Sequence, residues 1–390
     1  MPSRQPSFRA LFALVGALVL IEIMFYAALA PLLPYYKDHL HLSKSAAGLL
    51  TAAYAIGTLV FALPLGLVVA RIGVKRATVA GSVLLACASV VFGFGQSIVV
   101  LDGARLIQGI AGAAMWIGAI TWVVDAAPAG RKGETVGAVL GIGVAGALLG
   151  PVVGSAAHLT SPKLVFGLVG VTIAVLAAWA VATPGPVGEL QGTPSRRALI
   201  AASGDRRIWS GTWFTLLPAL LLGIVDVLAP LRLDALGAGA VAIGAVFLVS
   251  ALIEAAAAPF FGRLADRRGP LPLVRIGLVS ASLLAIVLPI PDRAWLAGAV
   301  TALAGVAVGI AWVPANALLR NGAEAHDLHQ SLAFALWVFG WAAGVAAGSA
   351  LGAPLAQATS DAVAYGLVAA LCVATLVLLR FRERIAVVPA

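Results

Sequence analysis

The sequence predicts an all-α membrane protein of twelve transmembrane helices, arranged as two pseudo-symmetric six-helix halves. Long apolar runs alternate twelve times with short charged loops, and a hydrocarbon layer about 30 Å thick takes about 20 apolar residues to cross as a helix. The chain is 62% hydrophobic and 11% charged, with a mean hydropathy of +1.05; soluble domains carry about a quarter charged residues. Finally, loop and glycine patterns recur in the second half of the chain at a nearly constant offset.

In chain order the spans fall at 10–35, 46–70, 77–96, 99–127, 135–158 and 165–184, then at 210–232, 239–262, 273–290, 295–319, 330–354 and 360–379. The first is too long for a secretory leader, and no small-residue cleavage site precedes a hydrophilic mature domain, so it is kept as a helix. Between the sixth and seventh spans, residues 185–209 hold Gly185, Pro186, Gly192, Pro194, Arg196, Arg197, Asp205, Arg206 and Arg207, the composition of a cytoplasmic linker. With the N-terminus inside, 19 of the 25 Lys and Arg fall in cytoplasmic segments. The positive-inside rule therefore puts both termini in the cytoplasm and accounts for the formal charge of +9 without a nucleic-acid partner. Five lysines against twenty arginines in an Ala- and Gly-rich chain suggest a bacterial cytoplasmic membrane. Cys87 and Cys372 both lie within spans, so no disulfide framework is implied. His39 and His41 lack the further ligands of a metal cage, and no metal is expected.

The repeat is specific. Gly66, Arg71 and Gly73 recur 196 residues later as Gly262, Arg267 and Gly269, and Gly146, Gly150 and Gly154 recur 198 residues later as Gly344, Gly348 and Gly352. Two independent matches at nearly equal offset divide the chain into an N-terminal half, 1–184, the linker 185–209, and a C-terminal half, 210–390. Repeats of this kind build many secondary transporters, with the substrate site near the membrane midplane.

Four motifs carry a resemblance. Gly262-Arg263-Leu264-Ala265-Asp266-Arg267-Arg268-Gly269 resembles the loop signature of the major facilitator superfamily, and the copy from Gly66 to Lys75 keeps the glycines and Arg71 but has Ala70 in place of the acid. Arg105-Leu106-Ile107-Gln108-Gly109 with Gly112 resembles the family's fourth-helix motif. Gly146, Gly150, Pro151 and Gly154 resemble the fifth-helix motif of members that exchange drugs for protons. Glu22, nine residues before Pro31, and Asp226, four before Pro230, resemble the first- and seventh-helix acids of vesicular amine transporters and related bacterial drug exporters. Trp337 stands about where that amine group carries an eleventh-helix acid, which argues against monoamine selectivity. The resemblance implies the major facilitator fold and a cytoplasmic latch made by Gly66, Arg71, Gly73, Gly262, Asp266, Arg267 and Gly269; the bland alternative is a basic loop that sets topology. For the glycines of the fifth span, including Gly137 and Gly141, close helix packing is a sufficient account.

Ionisable residues at membrane depth are costly and mark functional sites by default. Glu22, Asp226, Glu254 and Arg105 are the candidates for proton and substrate coupling. Desolvation disfavours a charged carboxylate, so such a group can take a proton on one side and surrender it on the other. The competing reading is a permanently protonated or hydrogen-bonded acid that only orders the bundle. Arg105 either pairs with Asp102, three residues earlier on the same helix face, or acts electrostatically on a nearby carboxyl. Tyr26, Tyr54, Gln108, Trp116, Trp213, Trp312, Asn316 and Trp337 are cavity candidates, the aromatics suited to organic cations or serving instead as interfacial anchors.

The expected function is secondary active transport: proton-coupled efflux of small lipophilic or cationic molecules by alternating access, with the proton as coupling ion and no other cofactor. The alternative is an exporter or facilitator of sugars or other small metabolites, with or without coupling to protons. An enzyme is not expected, since only His158 among five histidines lies within a span and no H-E-x-x-H occurs. The expected partners are a small-molecule substrate and the bilayer, and the chain is expected to be monomeric.

Overall fold

A computed structural model describes residues 7–128, 131–185, 204–326 and 330–387. Its elements are α1 (Phe8–Ala27), α2 (Leu29–His39), α3 (Lys44–Ile72), α4 (Val74–Phe94), α5 (Ile98–Asp125), α6 (Lys132–Leu159) and α7 (Pro162–Ala182). They continue with α8 (Arg206–Ala235), α9 (Ala240–Arg268), α10 (Pro270–Val287), α11 (Ala294–Glu324), α12 (Gln330–Ala347), a π-helical turn (Gly348–Gly352), α13 (Ala353–Ala358) and α14 (Asp361–Val387). No strand occurs among the described residues. Among the described residues, twelve helices are long and apolar enough to cross a membrane, so the chain is an all-α, multi-pass membrane protein. Most of the expected linker, 186–203, lies outside the described residues.

Two expected spans are not single α-helices, and prolines explain both. The first breaks at Ala28 into α1 and α2. Pro31 has no N–H to give the carbonyl of Ala27, and Pro34 none for Ala30. In the eleventh, Pro354 cannot donate to the carbonyl of Ala350, and the chain widens into the π-turn before α13. The Ser349 hydroxyl donates to the Gly223 carbonyl there at 2.9 Å.

By backbone proximity the chain forms two compact units, one of residues 1–42, 53–193 and 240–248, the other of 43–52, 194–239 and 249–390. In the first unit the core is aromatic. Phe25 of α1, Phe92 of α4 and Phe166 of α7 meet edge to face, with ring centroids 5.0–5.8 Å apart and each ring essentially buried. Small residues let α6 lie directly on α1. A Cβ at Gly146 would meet the Leu20 backbone, one at Gly150 the Met24 carbonyl at 2.8 Å, and one at Gly154 the Ala28 backbone. Gly137 and Gly141 correct the longer expected ladder, because a Cβ on either meets nothing within 4 Å.

The second unit repeats the device. Gly344 and Gly348 face the backbone of Leu216 and Leu220 on α8, and Gly352 faces the Ile224 side chain. At the loop signature, Gly73 and Gly269 take φ of +90° and +78°. Only glycine adopts this conformation cheaply, so the repeat extends from residue type to backbone geometry.

Candidate functional site

In the first unit the predicted residues converge on Glu22. Between Arg9 in its first turn and Tyr26 near its end, α1 is apolar apart from Glu22, which is 3% exposed and the helix's one acid. A buried carboxylate needs donors, and two other helices supply them. From α3 the Tyr54 hydroxyl donates to Glu22 Oε1; from α5 the Trp116 indole Nε1 donates to Oε2 at 2.7 Å. Gly112, one turn before Trp116 on the same face, leaves open the space beside this pair. Tyr26, one turn beyond Glu22, sets its ring 5.0 Å from that of Tyr54.

Arg105 lies beside this cradle, 1% exposed. Its guanidinium carbon is 5.0 Å from the Tyr54 ring centroid, 5.8 Å from those of Phe25 and Tyr26, and 5.9 Å from that of Phe92. Four π faces thus do much of what a counter-ion would do. Its Nη1 reaches Gln108 Oε1 at 3.4 Å, Gln108 Nε2 donates to the Ala88 carbonyl at 3.2 Å, and Nε has no partner. Of the two readings of Arg105, the pairing with Asp102 is absent. Asp102 Oδ1 is buried without a hydrogen bond, and the aromatic cage takes the cation instead. The charge of Arg105 reaches Glu22 without a direct ion pair, and Tyr54 stands between them, its hydroxyl bonding Glu22 and its ring facing the guanidinium.

In the second unit the predicted residues are more dispersed. Trp312 and Trp337 meet edge to face at 5.7 Å, with Trp312 Nε1 donating to the Thr215 carbonyl at 3.3 Å. Asn316, one turn on from Trp312, is half-buried. Trp213 does not join them: it is 41% exposed and donates to Thr375 at 3.2 Å. Glu254 is half-buried on α9, with its Cγ 3.1 Å from where a Cβ on Gly309 of α11 would be. Asp226 is half-buried on α8, and Pro230 leaves its backbone carbonyl without the helical donor. Its field, with those of Arg232 and Asp361, reaches the buried Tyr365 hydroxyl.

Of the latch residues, Arg71 and Arg267 are exposed, and the side chain of Asp266 lies outside the described residues, as does the surface state of Gly66. A Cβ on Gly262 would meet nothing within 4 Å. His39 stacks on Tyr35 at 3.8 Å, its Nδ1 against the Tyr35 carbonyl.

Sequence reasoning missed Phe92 as a wall of the Arg105 cage, because one more Phe in an apolar helix carries no signal. It also missed a polar cluster in the second unit. Lys44 pairs with Asp361 at 2.6 Å, Ser45 bonds Gln357 at 2.9 Å, and Arg232 donates to the Pro291 carbonyl at 2.6 Å. Of these, Lys44, Arg232, Gln357 and Asp361 line a cavity of about 640 Å³. Charged residues flanking three different spans were the available clue.

The model of the Major Facilitator Superfamily matches residues 15–328. The chain belongs to the major facilitator superfamily. This is a superfamily of membrane transporters rather than enzymes. Among curated proteins, the superfamily member is 30% identical to a chloramphenicol resistance protein of Streptomyces lividans over 271 residues, 63% of this chain and 66% of that one. It is 28% identical to the quinolone resistance protein NorA of Staphylococcus aureus over 140 residues, 36% of each chain. It is 27% identical to the MFS-type transporter ppzB of Metarhizium rileyi over 155 residues, 38% of this chain and 32% of that one. Most of these alignments span about a third of the relative's length. Its fold is shared with a bacterial homolog of the human lysosomal transporter Spinster, solved inward-facing and occupied, at a TM-score of 0.73 and 15% identity, covering 98% of this chain and 95% of that one. A nucleoside transporter NupG mutant gives a TM-score of 0.75 at 14% identity, covering 94% and 98%.

Proposed function

We propose that this superfamily member exports small lipophilic or cationic organic molecules in exchange for protons, by alternating access, with Glu22 as the principal coupling acid. The observation that carries the reading is the placement of Glu22: a buried carboxylate, the one acid of its helix, with both oxygens accepting from neighbouring helices and aromatic rings at its side. A group so placed can hold either a proton or the positive end of a substrate, and competition between the two couples their movements. Drug-resistance proteins among the relatives favour drug-like substrates over sugars. Asp226 and Glu254 in the second unit are secondary candidates. The distribution of Lys and Arg supports both termini lying on the cytoplasmic side, and the drug-resistance relatives from bacteria support a bacterial inner membrane.

The test is transport by the full chain in proteoliposomes under an imposed pH gradient, with Glu22→Gln and Asp226→Asn beside the parent. Substrate addition should drive proton flux in the parent, and Glu22→Gln should abolish that flux while leaving protein in the vesicles. Substrate movement with no proton flux in the parent would establish an uncoupled facilitator instead.

A further inference from the structure

The two oxygens of Glu22 are held by chemically unequal partners. We propose that Trp116 decides which oxygen receives the proton: Oε1, on the Tyr54 side, takes it, and Oε2 remains the carbonyl oxygen. This rests on the coupling role of Glu22 given above. An indole N–H only donates, and a carbonyl oxygen accepts more strongly than the hydroxyl oxygen of a carboxyl group, so the 2.7 Å bond to Trp116 favours Oε2 as the oxygen that stays unprotonated. A phenol hydroxyl both donates and accepts. When a proton arrives, the Tyr54 hydroxyl's bond to Oε1 breaks and a new O–H bond forms at Oε1. The Tyr54 hydroxyl then turns about its Cζ–Oη bond to accept from it. The carboxylate goes from one negative charge to none, no other reactant is used, and the Trp116 bond persists in both states. Deprotonation runs the same motion backwards.

Gly112 keeps the space for that turn. A Cβ there would come 2.7 Å from Tyr54 Oη and 2.9 Å from Glu22 Oε1, closer than real Cβ atoms approach. Trp116 is therefore a positioning residue, Tyr54 the partner that reverses its hydrogen bond, and Gly112 the gap that lets it do so. The other charged group nearby, Arg105, faces the Tyr54 ring rather than its hydroxyl's partner.

The test is infrared difference spectroscopy, acid minus alkaline, on the full chain in liposomes, reading the carbonyl stretch of the protonated carboxyl. Glu22→Gln should remove the band. If band and proton flux both survive Glu22→Gln, the coupling role itself fails and this inference with it. With the band assigned, Trp116→Phe should raise its frequency, because the carbonyl loses an N–H donor, and Trp116→Gln, which keeps an N–H, should restore most of it. Tyr54→Phe should leave the carbonyl frequency in place and move the pH midpoint of coupled flux by roughly one to two units. Gly112→Ala, which alters no polar atom and covers the case in which Trp116→Phe does not fold, should copy Tyr54→Phe. The inference is overturned if Tyr54→Phe or Gly112→Ala shifts the carbonyl band, or if Trp116→Phe leaves it where it was.

Discussion

Replacing Gly146 with alanine adds one methyl group at the place where α6 lies on α1, beside the turn of α1 that carries Glu22. That methyl would fall inside van der Waals contact with the Leu20 carbonyl, and 3.2 Å from its C and Cα. All three are backbone atoms, so no side chain can swing aside and the helices themselves must separate. A gap widened by about 0.5–1 Å forfeits a quarter to a half of the dispersion attraction across it. Overpacking of this kind costs about 1–3 kcal/mol. Gly141→Ala, on the same helix, adds the same methyl where nothing lies within 4 Å, and the helix-propensity gain of alanine is common to both. The two variants should therefore differ by about 1–3 kcal/mol, with Gly146→Ala the less stable. Thermal unfolding of both in one detergent reads the difference, and coupled transport should fall with it, because Leu20 and Glu22 share a turn of α1. Equal melting temperatures for the two alanines would refute the direct α1–α6 backbone contact.

Arg105→Lys keeps the charge but loses the planar group that four rings enclose, and should lose most transport and about 1–2 kcal/mol of stability; unimpaired transport would reduce Arg105 to a point charge. Phe166→Ala empties a fully buried aromatic corner and should cost about 3–5 kcal/mol in unfolding experiments, against under 0.5 kcal/mol for the exposed Val175→Ala. Asp205 caps α8 through the Arg207 N–H at 2.6 Å and receives His326 Nε2 at 3.0 Å, and these bonds hold its carboxyl below the ordinary value of 3.8. A depressed acid stabilises the fold above its unfolded value and loses that contribution as pH falls through the folded one, so Asp205→Asn should flatten the acid limb of stability below about pH 4; an unchanged limb would contradict the cap's role. Lys44→Met should change stability by less than about 1 kcal/mol, with the difference vanishing at high salt; a salt-independent loss would point to packing instead of charge.

The spans were legible because lipid imposes a blunt length rule, and the repeat because Gly73 and Gly269 answer to the same backbone requirement. Glu22 and Arg105 stood out for the same reason: charge is rare at membrane depth. What could not be read was partnership. Asp102 is the nearest acid to Arg105 in sequence, yet the cage of Phe25, Tyr26, Tyr54 and Phe92 comes from three other stretches of chain. Hydropathy treats a ring that donates to a buried acid and a ring at the protein surface alike, so Trp116 and Trp213 looked equivalent and are not. The two broken spans were missed because a proline does not by itself break a helix: α3, α6 and α8 run unbroken through Pro64, Pro151 and Pro218.

The π-turn at Gly348–Gly352 has a geometric effect beyond local width. Each residue advances an α-helix by about 100°, and a bulge inserts one residue more than the ladder can register. Side chains before and after it are therefore clocked about 100° out of phase, so that Trp341 and Gln357, sixteen places apart on one spanning segment, answer to two different helical wheels. Ironing the bulge into regular helix would spin one end against the other by that angle without breaking the segment, and Ser349, anchored to Gly223, is the pin that sets the present phase.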